Sequence, residues 1–289
     1  MNYNINFPNL NIHLDHVGQE ISIGSFSIAY YGIVIALGMV LAIMCIIYRA
    51  KRCGDNDEDF LDVTIWTIIF GVIGARLYYV IFSWDYYSQN LADIINLRNG
   101  GLGIYGGILA GIIAAYIGCK KKNIRFLHFA DVVIPGVLIG QIMGRWGNFF
   151  NREAFGQYTD GLFAMQLPVN AVRSRSDITV EMLAHAASIN GDSYIQVHPT
   201  FLYESCFNIA VLILILFLSK RVKFDGELFF IYMFMYGAGR FFIEGLRTDQ
   251  LTIGATGIAI SQVVAVAMMV AAITLSAYQI KLKNKQNRH

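Results

Sequence analysis

Seven stretches of the chain are almost uninterrupted in apolar residues, at about 26–48, 59–82, 102–119, 128–146, 201–218, 227–246 and 254–279. A hydrocarbon core about 30 Å thick is crossed by about 20 such residues in a helix, so each stretch predicts one membrane-spanning helix. Between 147 and 200 the pattern breaks. The parts at 156–168 and 192–199 are short apolar segments bounded by turn residues, which predicts strands and turns. A shorter interruption at 83–101 carries Trp84, Tyr86 and Tyr87, residue types that favour the membrane–water boundary. The first 25 residues mix polar and apolar positions and predict an interfacial helix or strand. No charged segment precedes a short apolar one there, so no cleavable leader is expected.

Composition points the same way. Hydrophobic residues make up 56% of the 289 and charged residues 15%, against about a quarter charged in soluble globular domains. A soluble chain so composed would lack the polar surface to cover its core. Cys45, Cys53, Cys119 and Cys206 form no CxxC pair and fall in or beside the apolar stretches. Packing, rather than disulfide or zinc binding, is their expected role.

The basic residues set an orientation. Arg49, Lys51, Arg52, Lys120, Lys121, Lys122, Arg125, Lys220, Arg221, Lys223, Lys281, Lys283, Lys285 and Arg288 flank alternate ends of the stretches, fourteen of 22. The opposite loops hold only Arg98, Arg152, Arg173, Arg175 and Arg247. Short loops rich in Lys and Arg stay in the cytoplasm. The expected fold is therefore an all-α polytopic membrane protein of about seven transmembrane helices, N-terminus out and C-terminus in. It forms a single membrane domain over 1–289, with residues 147–200 as a small periplasmic cap within it. This topology accounts for the basic tail without invoking nucleic acid.

Arg76, Arg145 and Arg240 lie inside apolar stretches, where charge is costly and faces a polar cavity or a partner. The orientation brings polar groups from six helices to one level, at the outer leaflet: Tyr30 and Tyr31, Arg76, Tyr105, Gln141 to Asn148, His198 to Glu204, and Tyr236 to Arg247. Gln141, Arg145 and Asn148 fall at i, i+4, i+7, and Tyr236, Arg240, Glu244 and Arg247 at i, i+4, i+8, i+11, so each set shares one helix face. An Arg240–Glu244 pair can serve helix packing alone. Yet Arg76, Arg145, Arg240 and Arg247 outnumber Glu153, Glu204 and Glu244, and surplus guanidinium at headgroup depth suits a phosphate. Gly136, Gly140 and Gly144, with Gly106, Gly107 and Gly111, are expected where helices approach closely. No inverted repeat points to a transporter, and no P-loop, GxSxG or HExxH is present.

Residues 144–156 read GRWGNFFNREAFG. This resembles the signature G-R-x-x-N-F-x-N-x-E-x-x-G of the prolipoprotein diacylglyceryl transferases. Tyr236–Arg247 (YGAGRFFIEGLR), His198–Glu204 (HPTFLYE) and Tyr30–Gly32 (YYG) are similar to three further segments of that family, and the likeness covers nearly the full chain. One departure stands out. Many members carry a histidine before the Gly-Gly pair of the third helix, whereas here Tyr105 precedes Gly106 and Gly107, and a phenol serves poorly as a base at neutral pH.

The resemblance implies a bacterial inner-membrane enzyme with its active site facing the periplasm. It would move the diacylglyceryl group of phosphatidylglycerol to the lipobox cysteine of a prolipoprotein and release glycerol phosphate, with no metal or organic cofactor. Arg145 and Arg240 would hold the phosphate. Asn148 and Asn151 would bind the headgroup or hold the loop, and Glu153 and Glu244 would orient the arginines. Tyr31, Tyr105 and Tyr236 would line the pocket, and Gly156, Arg247 and Arg76 would join the residues that bind the substrate. His198, Glu204 and Tyr105 are the candidates for proton acceptor.

Overall fold

The computed structural model describes residues 3–24, 26–97, 100–254 and 257–286; Arg98 and Arg288 of the charge pattern lie outside them. The helices are α1 (Tyr30–Cys53), α2 (Asp57–Phe82), α3 (Trp84–Tyr87), α4 (Ile104–Lys121), α5 (Phe126–Asn151), α6 (Val180–Ala184), α7 (Thr200–Leu218), α8 (Glu227–Glu244) and α9 (Ile260–Gln286). The strands are β1 (Tyr3–Phe7), β2 (Ile12–Val17), β3 (Glu20–Ile23), β4 (Phe26–Ala29), β5 (Met165–Pro168), β6 (Ala187–Ile189) and β7 (Asp192–Val197). Among the described residues six helices, α1, α2, α4, α5, α7 and α9, are long and apolar enough to cross a membrane by length and composition. The seventh expected span, α8, has the length but carries Glu227, Arg240 and Glu244. The protein is thus a mostly helical, multi-pass membrane protein with a small sheet.

The chain divides into two compact units, 43–133 and 1–42 with 134–289. In the first, α2 starts cleanly. The Asn56 side chain accepts the Glu58 N–H, and Asp57, Glu58 and Asp59 occupy the first turn, favoured by the helix dipole. Helices α2 and α4 meet almost backbone to backbone. A Cβ on Gly106 would lie 2.2 Å from Tyr78 Cβ, and one on Gly74 would lie 2.7 Å from the Gly106 carbonyl oxygen. Gly140 and Gly144 of α5 do not do the same: a Cβ on Gly140 would meet nothing within 4 Å and one on Gly144 only an ordinary contact with Ile35. At the far end of α4, Lys122 donates to Asp59 and Asp62 at 2.7 and 2.6 Å. Those hydrogen bonds hold its ammonium above the usual lysine range.

The second unit contains the sheet, in the order β2–β1–β5–β7–β6 with every pairing antiparallel. Its inner face presents Ile5, Met165, Leu167, Ile195 and Val197 to Phe149 near the end of α5 and Phe201 at the start of α7. Each such buried side chain contributes about 1.5–3 kcal/mol, so the sheet is seated firmly on these two helix ends. Two helices start four or more residues later than their apolar patterns. Residues 26–29 form β4 instead of opening α1, and α9 waits until Ile260 because Thr252 and Ala259 form a bridge. Helix α5, in contrast, runs five residues past its apolar stretch to Asn151.

Candidate active site

The first turns of α7 and the last turns of α5 and α8 build one charged centre around Glu204. Its carboxylate takes Arg145 Nε of α5 at 3.0 Å, Arg240 Nη1 of α8 at 3.3 Å and, beyond α8, Arg247 Nη1 at 3.9 Å. Glu244 is shared between Arg240 and Arg247. The side chains of Glu204 and Glu244 are 6% exposed, while that of Arg145 is 21% exposed. The carboxylates therefore sit beneath the guanidinium groups. A buried charge left without any partner costs several kcal/mol, so the shared carboxylates hold the arginines in fixed positions. Deeper in the helices Gln141 donates to the Tyr232 hydroxyl at 2.7 Å. Tyr236 stacks on Tyr232 with ring centroids 5.6 Å apart. Tyr236, Glu204 and Arg240 share the wall of a cavity of only about 10 Å³.

The end of α5 adds a polar chain beside this centre. The helix stops because Arg152 is left-handed (φ 51°). The Arg152 N–H then bonds the Phe149 carbonyl at 3.1 Å and the Glu153 N–H the Asn148 carbonyl at 3.2 Å, the two bonds of a Schellman turn. That turn folds Glu153 back over the helix end, where it accepts Asn148 Nδ2 at 3.1 Å and Asn151 Nδ2 at 3.0 Å. Asn148 Oδ1 in turn accepts Arg145 Nη1 at 3.2 Å. Glu153 pairs with Arg173 at 3.2 Å, so the carboxylate expected to orient the site arginines orients the two asparagines instead. Tyr31 packs against α5 at Gly147, where a Cβ would fall 2.7 Å from its ring.

A backbone junction joins His198 to the same region. The Gly156 N–H bonds the His198 carbonyl at 2.9 Å, the His198 N–H the Gln157 carbonyl at 3.0 Å, and the Gln157 N–H the Leu246 carbonyl at 2.8 Å. Gly156 and Arg247 form an antiparallel bridge. A Cβ on Gly156 would lie 2.7 Å from His198 Cβ and 2.8 Å from the Leu246 oxygen. His198 Nδ1 faces the Tyr203 hydroxyl at 3.2 Å. Burial lowers the imidazole below the usual histidine range, which keeps it neutral and able to accept a proton at neutral pH.

Of the sequence-chosen residues, Tyr31, Arg145, Asn148, Asn151, Glu153, Gly156, His198, Glu204, Tyr236, Arg240, Glu244 and Arg247 all belong to this unit. Tyr105 and Arg76 belong to the other. Tyr105 is 41% exposed on the first turn of α4. Arg76 is buried and directs its guanidinium to the backbone carbonyls of Asp93, Ile94, Asn96, Gly100 and Gly101, a different occupation from the headgroup contact expected of it. The expected surplus of positive charge is also corrected. Asp249, two residues past Arg247, grips that guanidinium at 2.6 and 2.9 Å. Three carboxylates thus meet three arginines. Burial alone would raise the Asp249 carboxyl, but Arg247 more than offsets this and leaves it below the usual range. Asp249 and Tyr203 were missed by sequence reasoning, although both stand within or just beyond the quoted motifs.

This is a helical membrane protein with an arginine–glutamate centre at converging helix ends, flanked by an asparagine pair and a histidine, groups able to bind an anion. Comparison with known proteins gives the family. Residues 19–278 match the profile of prolipoprotein diacylglyceryl transferase. The chain is 42% identical over 265 residues to a phosphatidylglycerol–prolipoprotein diacylglyceryl transferase of Finegoldia magna, covering 91% of this chain and 95% of that one. It is 42% identical over 260 residues to the protein of that name in Clostridioides difficile (90% and 94% covered), and 37% over 281 residues to that of Bacillus mycoides (96% of each). The chain belongs to the prolipoprotein diacylglyceryl transferase family.

Proposed function

We propose that the protein transfers the diacylglyceryl group of phosphatidylglycerol to the lipobox cysteine thiol of prolipoproteins, the first step of bacterial lipoprotein maturation. The names of its relatives supply the reaction. The observation that carries it to this chain is the convergence of Arg145, Arg240 and Arg247 on Glu204, beside the Asn148–Glu153–Asn151 chain. The substrate thiolate attacks the glyceryl carbon bonded to the phosphate oxygen. A carbon–sulfur bond forms, the carbon–oxygen bond breaks with its electron pair going to the phosphate, and glycerol phosphate leaves. Arg145 and Arg240 stabilise the charge that develops on the departing phosphate, as preorganised donors do. Asn148 and Asn151 hold the headgroup, and Tyr31 and Tyr236 flank it. His198 takes the thiol proton: its imidazole is kept neutral by burial, whereas the oxygens of Glu204 already face guanidinium groups.

The enzyme works from the bacterial inner membrane with this centre at the outer leaflet, facing the periplasm. The asymmetry of lysine and arginine between alternate loops supports that orientation, and residues 147–200 then cap the centre on its periplasmic side.

The test is direct. Purified protein is incubated with phosphatidylglycerol and a lipobox peptide, with and without its cysteine, and the peptide is weighed by mass spectrometry. A gain of one diacylglyceryl unit that requires the cysteine is expected. No gain, or lipid movement across the bilayer without covalent product, overturns the reading in favour of a lipid carrier.

A further inference from the structure

Strand β2 is the last strand of the five-stranded sheet, and among the described residues no strand pairs with its outer edge. Five of its six residues are exposed. Alternation puts Ile12 and Leu14 on one face and His13 and Asp15 on the other. An open edge is a template for another backbone, and natural proteins normally cover or guard it. Here the Ile12 and Leu14 face opens instead onto a cavity of about 250 Å³ whose walls are all aliphatic or aromatic, including Trp146, Phe149, Phe163 and Leu202. Trp146 follows Arg145 and Leu202 stands two residues before Glu204. The cavity therefore lies one helix face round from the arginine–glutamate centre, within the same unit.

We infer that β2 and this cavity form the subsite for the extended stretch of acceptor polypeptide next to its reactive cysteine. The polypeptide pairs with the β2 edge and places an apolar side chain in the cavity. The inference rests on the reaction proposed above. Three features select a polypeptide over a lipid tail. Edge N–H and C=O groups are satisfied by another backbone and not by an acyl chain. A strand laid against β2 sets every second side chain beside Ile12 and Leu14, about 5 Å away, where the cavity opens. The cavity is also smaller than the range of about 300–1,000 Å³ that takes whole small ligands, which suits one side chain better than a diacyl lipid.

The experiment uses the full chain in phosphatidylglycerol nanodiscs and a fluorescent lipobox peptide with serine in place of its cysteine, so that binding is read without transfer. The double variant Ile12→Ser, Leu14→Ser is expected to bind this peptide about tenfold more weakly. N-methylation of the peptide at alternate residues, or serine at its apolar positions, is expected to cause a similar loss in the wild type. Turnover at saturating cysteine peptide and the KM for phosphatidylglycerol should stay within about twofold, which also shows that the variant is folded. Equal peptide affinity in variant and wild type overturns the inference. So does a raised KM for phosphatidylglycerol with unchanged peptide affinity, which assigns the cavity to an acyl chain. The two readings fail separately: β2-dependent binding without transfer removes the reaction and leaves the subsite, and transfer with β2-independent binding does the reverse.

Discussion

Arg76 and Arg145 are both arginines set in apolar helices, and they are held in opposite ways. Arg76 meets only neutral oxygen: its Nε reaches the Ile94 carbonyl at 2.7 Å, its Nη atoms reach four more carbonyls, and the Tyr87 ring lies 5.1 Å from its Cζ. A guanidinium has five N–H donors, and here five carbonyls receive them. Arg145 meets charge and a side-chain amide, Glu204 and Asn148, and keeps part of its surface open. The first arrangement uses the side chain up in fixing the backbone at 93–96 and at 100–101. The second fixes the side chain and leaves it available to a further anion. Depth in a hydrophobic helix does not distinguish the two; the identity of the acceptors does.

The largest effect that follows is at Arg145. Arg145→Ala is expected to lower turnover in the transfer assay by about 10³-fold, the scale for loss of a preorganised charge-stabilising donor. Arg145→Lys should recover little of it, because an ammonium lacks the planar fork. The thermal midpoint should move little, since Glu204 keeps Arg240 and Arg247. Near-normal turnover in Arg145→Ala would remove the functional half of the comparison.

Next in size is His198. Only the neutral imidazole accepts a proton, and burial places its protonation below the usual histidine value of about 6.5. Activity should therefore be flat near neutral pH and fall as the pH drops through that lowered value. His198→Asn should cost about 10²-fold and abolish this acid limb of kcat/KM. A limb that persists in the variant assigns the proton elsewhere.

Gly156→Ala tests the junction that keeps His198 beside Arg247. The new methyl would collide with His198 Cβ and the Leu246 carbonyl, and small displacements of reacting groups cost roughly tenfold or more. The expected result is about a tenfold fall in kcat, with the pH profile of the wild type retained.

The helices and the embedded arginines were legible in the sequence because both are local signals: twenty apolar residues, and a charge where none belongs. The pairings across the chain were not. Strand β1 joins β5 through Asn6 and Gln166, a contact that no pattern in either segment announces. Asp249 escaped because the turn after α8, not helical spacing, returns it to Arg247. The extension of α5 to Asn151 depends on Arg152 adopting a left-handed conformation, which the sequence motif contains but does not express. The carbonyl cage of Arg76 was invisible for the same reason, since carbonyls belong to every residue and only the path of the loop gathers them.

That cage gives the smallest expected effect on catalysis and the sharpest control. Arg76→Lys replaces five donors with at most three on a rotating ammonium, so at least two half-buried carbonyls lose their partner at about 1–2 kcal/mol each. Unfolding followed by thermal denaturation in detergent should show a loss of about 3 kcal/mol. Turnover per folded molecule should remain within about twofold of the wild type. Arg145→Lys should show the inverse pattern, with stability kept and turnover lost. If instead Arg76→Lys loses turnover as severely as Arg145→Lys at unchanged stability, the carbonyls do not use up its guanidinium, and the division between a structural and a chemical arginine fails.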